Sequence, residues 1–571
     1  MKKLLIYLRE YRLQCILAPA FKMLEASFEL IVPLVIASLI DNGIRIGNSM
    51  HIYKMVGILV ILALVGLTAA ILAQFFAAKA AIGFATKLRT ALFEHLLGLS
   101  YSDVDILGTS TMITRMTSDV NQTQNGVNMF LRLFLRSPFV VLGAMIMAFT
   151  IDFKVALIFA ITIFVLSVVV ATIMFINVPA LKRAQSKLDK VTQSTRENLN
   201  GIRVLRAFRL EKHEINSFRE NNSMLAYSQK KAGRISALMN PLTYILINFG
   251  IIAVIYTGGI RVSLGILSEG QVVALYNYMS QILVELIKLA NLVVTLNKAI
   301  ASGNRISDVF DIQPSMIEGT DSNCAELYDN SVEFKNVSFT YEGAGDETLM
   351  DISFTIKKGQ TIGIIGGTGS GKTTLAGLIT RFYDASKGDI YINERPISGY
   401  TYETLHKIIG IVMQKAVLFA GTVADNLRMG DANITEEDMW EALKMAQVDK
   451  VIMEKGGLQA KVQMNGKNFS GGQRQRISIA RTLVLKPEIV ILDDSTSALD
   501  YATDLAFRRA LRELPKTTTV FIISQRTSSL KHADNILVLE DGNLVATGTH
   551  EQLLNTSDVY REIHLSQLHS E

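Results

Sequence analysis

The sequence is short of cysteine and of charged residues, and each shortage excludes a class of protein. Two cysteines occur among 571 residues, Cys15 in an apolar stretch and Cys324 in a polar one, so no disulfide framework holds the fold. Charged residues make up 19% of the chain and the net charge is a mild +5, so we expect no nucleic-acid partner. No internal repeat or low-complexity tract is apparent.

Apolar residues, in contrast, are abundant. The chain is 49% hydrophobic and its mean hydropathy is +0.29, values that are too apolar for a soluble protein of this length. Several apolar stretches can each cross the roughly 30 Å of hydrocarbon in a bilayer, which predicts an α-helical polytopic membrane domain. We place these spans near residues 15–40, 55–78, 128–150, 154–178, 238–260 and 270–296.

The distribution of basic residues predicts the orientation of these spans. Arg and Lys crowd the segments 79–115 and 182–234, whereas connections such as 41–54 and 151–154 are short and less basic. This asymmetry places the N-terminus, both long segments and the C-terminal domain in the cytoplasm, with the spans in the cytoplasmic (inner) cell membrane. Residues 1–12 are amphipathic and basic but lack a cleavage site, so we expect an interfacial helix and not a removed signal.

Charged side chains inside the spans leave two interpretations open. Lys22, Glu25 and Glu29 lie on one helical face of the first span, and Glu285 and Lys288 are one turn apart in the sixth. They could line a polar cavity that handles cationic or amphipathic substrates, or they could form internal salt bridges that fix helix packing.

A phosphate-binding motif occupies residues 366–373, whose sequence GGTGSGKT fits G-x-x-x-x-G-K-[ST]. An apolar strand precedes it at 361–365 and a helix-like stretch follows, which is the context that this motif requires. Backbone N–H groups of the glycine-rich turn wrap the phosphates, Lys372 reaches the β and γ oxygens, and the Thr373 hydroxyl reaches Mg²⁺. The predicted contacts are Gly366, Gly367, Thr368, Gly369, Ser370, Gly371, Lys372, Thr373 and Thr374.

The stretch 466–500 carries a second group of phosphate-directed residues. Its glycine-rich turn, Ser470-Gly471-Gly472-Gln473, opens a basic helix-compatible run whose free N–H groups suit an anion. Downstream, the apolar run 489–492 reads as a buried strand that ends on Asp493 and Asp494. A carboxylate at the end of a buried strand suits a metal ion bound to phosphate oxygens.

The two stretches together resemble the ATPase domain of ABC transporters, with FSGGQ similar to that family's signature motif and ILDD similar to its Walker B strand. The resemblance covers residues 331–571 and implies an α/β P-loop ATPase domain with a helical subdomain. It also implies that ATP lies between two such domains, the signature of one completing the site of the other. By the same resemblance, Tyr341 stacks on adenine, Thr373, Gln414 and Asp493 hold Mg²⁺, and Asp500 lies at the dimer seam.

Two catalytic positions depart from the family pattern. The residue after the Walker B Asp is normally Glu and here is Asp494, and the switch position after the next strand is normally His and here is Gln525. Both departures fall on the ATP site that this chain's own Walker motifs build, whereas the signature is intact. We therefore expect one half of an asymmetric heterodimer, whose partner carries the Glu and the His. The alternative is sequence drift in a slow homodimer.

The order of the chain, with six spans before one ATPase domain, resembles the exporter branch of ABC transporters. Two local sequences resemble that branch as well: LGTSTMITRMTSDVNQTQ after the second span and ENLNGIRVLRAFRLEKHE after the fourth. This implies a membrane domain over 1–300 with long cytoplasmic helix extensions and a linker over 301–330. It also implies short coupling helices near 101–106 and 208–214. Exporters usually carry Gly-Glu where this chain has Gln463 and Met464, so ionic coupling through that loop is not expected.

The expected function is ATP-driven export of amphipathic drugs or lipophilic compounds, with ATP turned over slowly at this chain's own site. A homodimeric lipid or peptide exporter and an ATP-gated channel or regulator on the same fold are the alternatives. No peptidase domain precedes the first span, which counts against export of processed peptides.

Overall fold

The computed structural model describes residues 1–322, 328–497 and 499–568. It contains two compact units, the first formed by Met1–His95 with Ser110–Asp311 and the second by Leu96–Thr109 with the described residues of Ile312–Glu571. Cys15 is a free thiol, and Cys324 lies outside the described residues.

Long helices build the first unit, and their lengths follow from continuous apolar sequence between few helix breakers. A 3₁₀ helix at Lys2–Tyr11 precedes them, and π-helical turns lie at Ile40–Ile44 and Arg115–Asp119. The helices of this part of the chain are α1 (Arg12–Leu39), α2 (Ser49–Leu97), α3 (Tyr101–Leu107), α4 (Thr109–Thr114), α5 (Val120–Leu133), α6 (Arg136–Ile151), α7 (Phe153–Asn200), α8 (Ile202–Ala207), α9 (Glu211–Ser263) and α10 (Glu269–Phe310). Of these, α3 belongs to the second unit.

The six expected spans are confirmed within the described residues. Each helical segment is 42 to 53 residues long, about twice what a bilayer requires, so each continues well beyond the hydrocarbon. The segments are Lys3–Ile44, Ser49–Leu97, Thr109–Ile151, Phe153–Asn200, Glu211–Ser263 and Glu269–Phe310.

The short helix expected near 208–214 lies earlier in the chain. Gly201 ends α7, α8 follows at Ile202–Ala207, and Arg209 takes a left-handed conformation with φ of 54°. The next helix then begins at Glu211, because acidic residues in a first turn complement the positive end of the helix dipole. Residues 211–214 therefore start α9 and do not form a separate helix.

The segment expected to begin the linker is partly helical. Helix α10 runs to Phe310, because Ile306 and Val309 continue its apolar stripe and are only 0% and 4% exposed. The sequence Ser302-Gly303-Asn304 resembles a break but lies within the helix. Of the remaining linker, residues 323–327 lie outside the described residues.

The charged residues noted in the first and sixth spans are joined in ion pairs within the first unit. Arg136 donates to Glu29 at 2.6 Å and also to Glu285, which accepts a further hydrogen bond of 2.8 Å from Ser137. Lys288 lies 2.8 Å from Glu285, and Lys22 lies 2.5 Å from Glu25. These contacts favour the packing interpretation over a cavity lined by unpaired carboxylates.

We expect Arg136→Met to destabilise the membrane domain strongly, because it leaves Glu285, which is 2% exposed, without one of its two cationic partners. Removing one member of a buried pair typically costs about 3–5 kcal/mol. Thermal unfolding of the detergent-purified protein measures the effect. The control is Arg132→Met, since Arg132 makes no ion pair among the described residues. Equal midpoints for the two variants would contradict the assigned role of Arg136.

Among the described residues, three sheets form the frame of the second unit. An antiparallel sheet has the strand order β2-β1-β4-β5, a larger and mostly parallel sheet has the order β12-β11-β3-β10-β9-β6, and β7 pairs with β8. The strands are β1 (Asn330–Phe339), β2 (Leu349–Lys357), β3 (Thr361–Gly366), β4 (Lys387–Ile392), β5 (Arg395–Pro396), β6 (Ile409–Val412), β7 (Gly421–Thr422), β8 (Lys461–Val462), β9 (Ile489–Asp493), β10 (Thr519–Ile523), β11 (Asn535–Glu540) and β12 (Asn543–Gly548).

Helices cover the larger sheet and add a separate helical region. Hydrophobic cores hold these layers together, one containing Ile364 and Ile491 and another containing Leu443 and Val490. The helices are α11 (Lys372–Ile379), α12 (Tyr402–Ile408), α13 (Val423–Leu427), α14 (Glu436–Met445), α15 (Asp449–Glu454), α16 (Gly471–Leu483), α17 (Tyr501–Leu511), α18 (Thr527–Leu530), α19 (His550–Thr556) and α20 (Asp558–Leu568), with 3₁₀ turns at Ile397–Gly399, Gly457–Gln459 and Met464–Gly466.

Candidate nucleotide site

Three neighbouring strands bring separate motifs to one edge of the larger sheet. Strand β10 lies between β3 and β9 and pairs with both in parallel, with Ile523 opposite Ile364 on one side and Asp493 on the other. Because parallel strands end at the same edge, the loops that follow them meet there, as ligand sites in open α/β sheets require. This edge therefore carries the glycine-rich loop, both acidic residues and the switch position.

The glycine-rich loop has the backbone geometry of a phosphate cradle. Gly369 and Gly371 have φ of 84° and 95°, a conformation that other residues rarely adopt. Helix α11 begins immediately afterwards at Lys372, whose Nζ donates to the carbonyl oxygens of Gly366 at 2.9 Å and Gly367 at 2.5 Å. Burial lowers the pKa of Lys372, partly offset by Asp493 and Asp494. A bound phosphate would supply negative charge beside Lys372 and so stabilise its protonated ammonium group.

Oxygen donors suited to Mg²⁺ lie beside this loop. The Thr373 hydroxyl donates to Asp493 at 3.4 Å, and Gln414 lines the same pocket. Burial raises the pKa of Asp493, and the adjacent Asp494 carboxylate adds to the rise, while the hydrogen bond from Thr373 opposes it. A hard divalent cation prefers such hydroxyl, amide and carboxylate oxygens, so these residues fit the predicted metal site.

The two positions that depart from the family pattern face the same pocket. Asp494 has φ of 45°, donates its N–H to the Ile523 carbonyl at 3.0 Å, and accepts a hydrogen bond from Gln414 at 3.4 Å. Gln525 follows β10, and its side chain is exposed. Both residues thus lie where the sequence places the catalytic carboxylate and the switch.

The aromatic residue expected to stack on adenine lies near the glycine-rich loop. The Tyr341 hydroxyl is 3.0 Å from the Thr374 hydroxyl, and its ring packs edge-on against Phe339 and Tyr383. These contacts hold the ring close to the start of α11.

The pocket encloses about 260 Å³. Thr348, Ile523 and Ser524 also line it, and they were not predicted because none of them belongs to a motif that the sequence reveals. The lining residues are Thr348, Thr368, Gly369, Gly371, Lys372, Thr373, Thr374, Gln414, Asp493, Asp494, Ile523, Ser524 and Gln525.

The signature residues are absent from this lining. Ser470 caps α16 by accepting from the Gln473 N–H at 3.3 Å, while Gln473 accepts from the Ser470 N–H at 3.0 Å. Gly471 and Gly472 form the first turn of α16, and Gly471 lines a different pocket. Asp500 caps α17 through a 2.9 Å bond from the Thr503 N–H. Within one chain, the signature therefore does not complete the glycine-rich loop's pocket.

Helix α3 packs on the ATPase portion of the second unit. Tyr101 stacks on Phe382 with ring centroids 4.3 Å apart, and the Tyr383 hydroxyl donates to Asp105 at 2.8 Å. Asp103 accepts from the Ser315 N–H at 3.1 Å. Met464 does not replace the family's acidic contact, since its apolar side chain is 71% exposed.

Comparison with known proteins identifies the chain. The family described as ABC transporter transmembrane region matches residues 15–286, and the family described as ABC transporter matches residues 349–497. The ABC transporter ATP-binding protein YfiB of Bacillus subtilis is 34% identical over 99% of this chain and 98% of its own length. The chain belongs to the ABC transporter family. It is a multi-pass membrane protein with an ABC ATPase domain, a type of domain that implies nucleotide binding.

Two further comparisons agree with this assignment. YgaD of Bacillus subtilis, named as a multidrug export ATP-binding/permease protein, is 30% identical over 99% of this chain and 98% of its own length. The solved structure of a bacterial Atm1-family ABC exporter with ATP bound matches with a TM-score of 0.81 at 22% identity, covering 97% of this chain and 98% of that one. The predicted fold class and the ATPase/translocase activity are thereby confirmed.

We expect Lys372→Met to reduce ATP binding by at least about tenfold, because a charge-assisted contact to phosphate is worth roughly 1.5–3 kcal/mol. Labelling of this chain by an azido-adenine photoaffinity analogue of ATP measures the loss. Lys387→Met is the matched control, since Lys387 pairs with Glu347 on the surface and does not line the pocket. Unchanged labelling of the Lys372 variant would exclude this pocket as the nucleotide site.

Proposed function

We propose that this chain is one half of an asymmetric heterodimeric exporter that moves amphipathic drugs or lipophilic compounds out of the cell. The observation that carries the proposal is the position of both departures, Asp494 and Gln525, in the pocket formed by the chain's own glycine-rich loop. Its signature, which is intact, lies outside that pocket.

Asp494 is a poor catalytic base for geometric reasons. Its carboxylate stands one methylene closer to the backbone than that of Glu, a shortfall of roughly 1–1.5 Å. A misplacement of that size lowers a rate by about a hundredfold. The contact with Gln414 at 3.4 Å engages the same carboxylate. ATP bound in this pocket is therefore expected to be turned over slowly.

Gln525 is a second reason to expect slow ATP hydrolysis in this pocket. A Gln side chain orients groups through hydrogen bonds but carries neither the charge nor the exchangeable proton of His. The partner is thus expected to supply a fully equipped pocket, with Glu after its own Walker B Asp and His at its own switch. Fast hydrolysis takes place there.

The signature of this chain would complete the partner's pocket. The capping interaction between Ser470 and Gln473 leaves the first turn of α16 with free backbone N–H groups and a positive dipole end. Such groups stabilise negative charge that develops on the terminal phosphate. When bound, Mg²⁺ neutralises charge on the phosphate oxygens, and Thr373, Gln414 and Asp493 are the residues that would hold it in this chain.

The ion pairs of the membrane domain support the proposal of an apolar or amphipathic substrate. The carboxylates within the first and sixth spans are ion-paired, as with Glu285 and Arg136, so binding would depend largely on apolar contacts. The name of YgaD, a multidrug export protein, supports the same substrate class. Closure of the ATPase dimer on ATP would be passed through α3, which packs on Phe382 and Tyr383.

We expect Asp494→Ala to change ATP turnover of the purified heterodimer only modestly, and Ser470→Arg to abolish most of it. A positioned base contributes about 10²–10⁴ in rate, and Asp494 would supply little of that. Steady-state ATPase activity of the two variants, purified separately with the partner, makes the comparison. Severe loss with Asp494→Ala and little loss with Ser470→Arg would show that the two sites have been assigned in reverse.

A second prediction concerns restoration of the family residues. Asp494→Glu combined with Gln525→His should raise turnover at this chain's pocket, provided that the partner's signature is competent. The measurement uses a heterodimer whose partner Glu has been changed to Gln, so that activity arises from this pocket alone. A stable homodimer of this chain that pumps drugs without any partner would refute the proposed heterodimer.

A further inference from the structure

The C-terminal helix α20 forms a compact set of hydrogen bonds with the switch loop. The Gln567 Nε2 donates to the Gln525 carbonyl at 2.7 Å. Its Oε1 accepts from the Thr527 N–H at 2.9 Å and from the Thr527 hydroxyl at 3.1 Å. The His564 Nδ1 lies 2.8 Å from the same hydroxyl. Thr527 is only 2% exposed, so the bonds that it makes are partly shielded from water, whereas the bond to the Gln525 carbonyl lies at the surface.

The arrangement gives the Thr527 N–H a hydrogen-bond acceptor that its own helix does not provide. Helix α18 begins at Thr527, and Arg526, which precedes it, provides no side-chain cap. The first N–H groups of a helix lack intrahelical partners, and a buried one destabilises the fold when it is left unsatisfied. Gln567 supplies the missing acceptor from a different helix. Its amide also binds the carbonyl of the switch residue itself, which an ordinary cap does not do.

The other side of the loop is fixed by the sheet. The Ser524 N–H donates to the Ile364 carbonyl at 3.1 Å, and the Ser524 hydroxyl accepts from the Arg526 N–H at 3.0 Å. Ile364 is in β3, the strand that leads into the glycine-rich loop. Gln525 is therefore held between the strand that carries the phosphate cradle and the last described helix of the chain.

We propose that Gln567, supported by His564, is a positioning residue for the switch loop and so controls how firmly this pocket retains ATP. Neither residue lines the pocket, and both act through the backbone of Gln525 and Thr527. The inference rests on the position of Gln525 in the pocket and does not depend on the identity of the partner. It goes beyond the proposed function because it assigns the C-terminal helix a role in nucleotide retention.

Hydrogen–deuterium exchange of the intact transporter tests the hydrogen bonds. In Gln567→Ala, the peptide that covers residues 524–530 should exchange about tenfold faster or more, because three hydrogen bonds to the loop are lost. Gln567→Glu keeps an acceptor for Thr527 but cannot donate to the Gln525 carbonyl, so its exchange should be intermediate. Glu562→Ala is the control, since Glu562 is exposed on the same helix.

Release of nucleotide tests the positioning role. The azido-adenine analogue is bound, chased with unlabelled ATP and cross-linked at intervals, and the chains are then separated on a gel. This chain should lose the analogue about three- to tenfold faster in Gln567→Ala. Gln567→Glu should again be intermediate, and Glu562→Ala should match the wild type. A residue that only stabilises the fold would show no such ranking.

Three results would overturn the proposal. Unchanged exchange of residues 524–530 in Gln567→Ala would show that the hydrogen bonds do not order the loop. Equal effects in Glu562→Ala would assign the change to general loosening of α20. Faster exchange without faster release would show that loop order does not control nucleotide retention. Each result concerns this chain alone, so a failure here is distinct from the absence of a heterodimeric partner.

Discussion

Parallel pairing of β3, β10 and β9 is the constraint on which the ATPase site depends. The pairing opposes Ile523 to both Ile364 and Asp493, and so aligns the ends of three strands that are far apart in sequence. Every functional group of the pocket, from Lys372 to Gln525, follows one of these strand ends or packs beside it. The same strands are buried and almost continuously apolar, so the geometry of the site depends on the stability of the core. A shift of register in any one of them would separate the phosphate cradle from the acidic residues.

Motif spacing predicted most residues of this site, because each motif places a given residue type at the end of a strand or the start of a helix. The glycine-rich loop, Asp493, Asp494 and Gln525 were predicted from sequence and occupy one pocket. Contacts between distant segments could not be predicted, since nothing local marks them. Gln567 lies in an ordinary amphipathic stretch, and its relation to Thr527 exists only because α20 packs beside α18. The start of the expected linker differs from the structure for the opposite reason, because a local pattern suggested it and packing between distant segments overrode that pattern. A linker was expected from residue 301, yet buried Ile306 and Val309 keep α10 continuous to Phe310.

In the membrane domain, the structure favours one of two interpretations that the sequence left open. Lys22, Glu25, Glu29, Glu285 and Lys288 could have lined a cavity, but their charges are joined to one another or to Arg136. Arg136 lies at the start of α6, inside the stretch 128–150 that was expected to form the third span. Such a network satisfies charges that hydrocarbon cannot solvate and links α1, α6 and α10. Specificity for a substrate would then depend on apolar surface, in keeping with the proposed export of amphipathic compounds.

The central claim is that two unequal ATP sites operate in one transporter, this chain's pocket being the slow one. Vanadate trapping with the azido-adenine analogue of ATP tests it most directly, because vanadate retains the nucleoside diphosphate only at a site that has hydrolysed ATP. After trapping and cross-linking, the account predicts that vanadate-dependent label accumulates on the partner chain, while this chain carries label that does not depend on vanadate. Equal vanadate-dependent labelling of the two chains, or labelling confined to this one, would contradict the account.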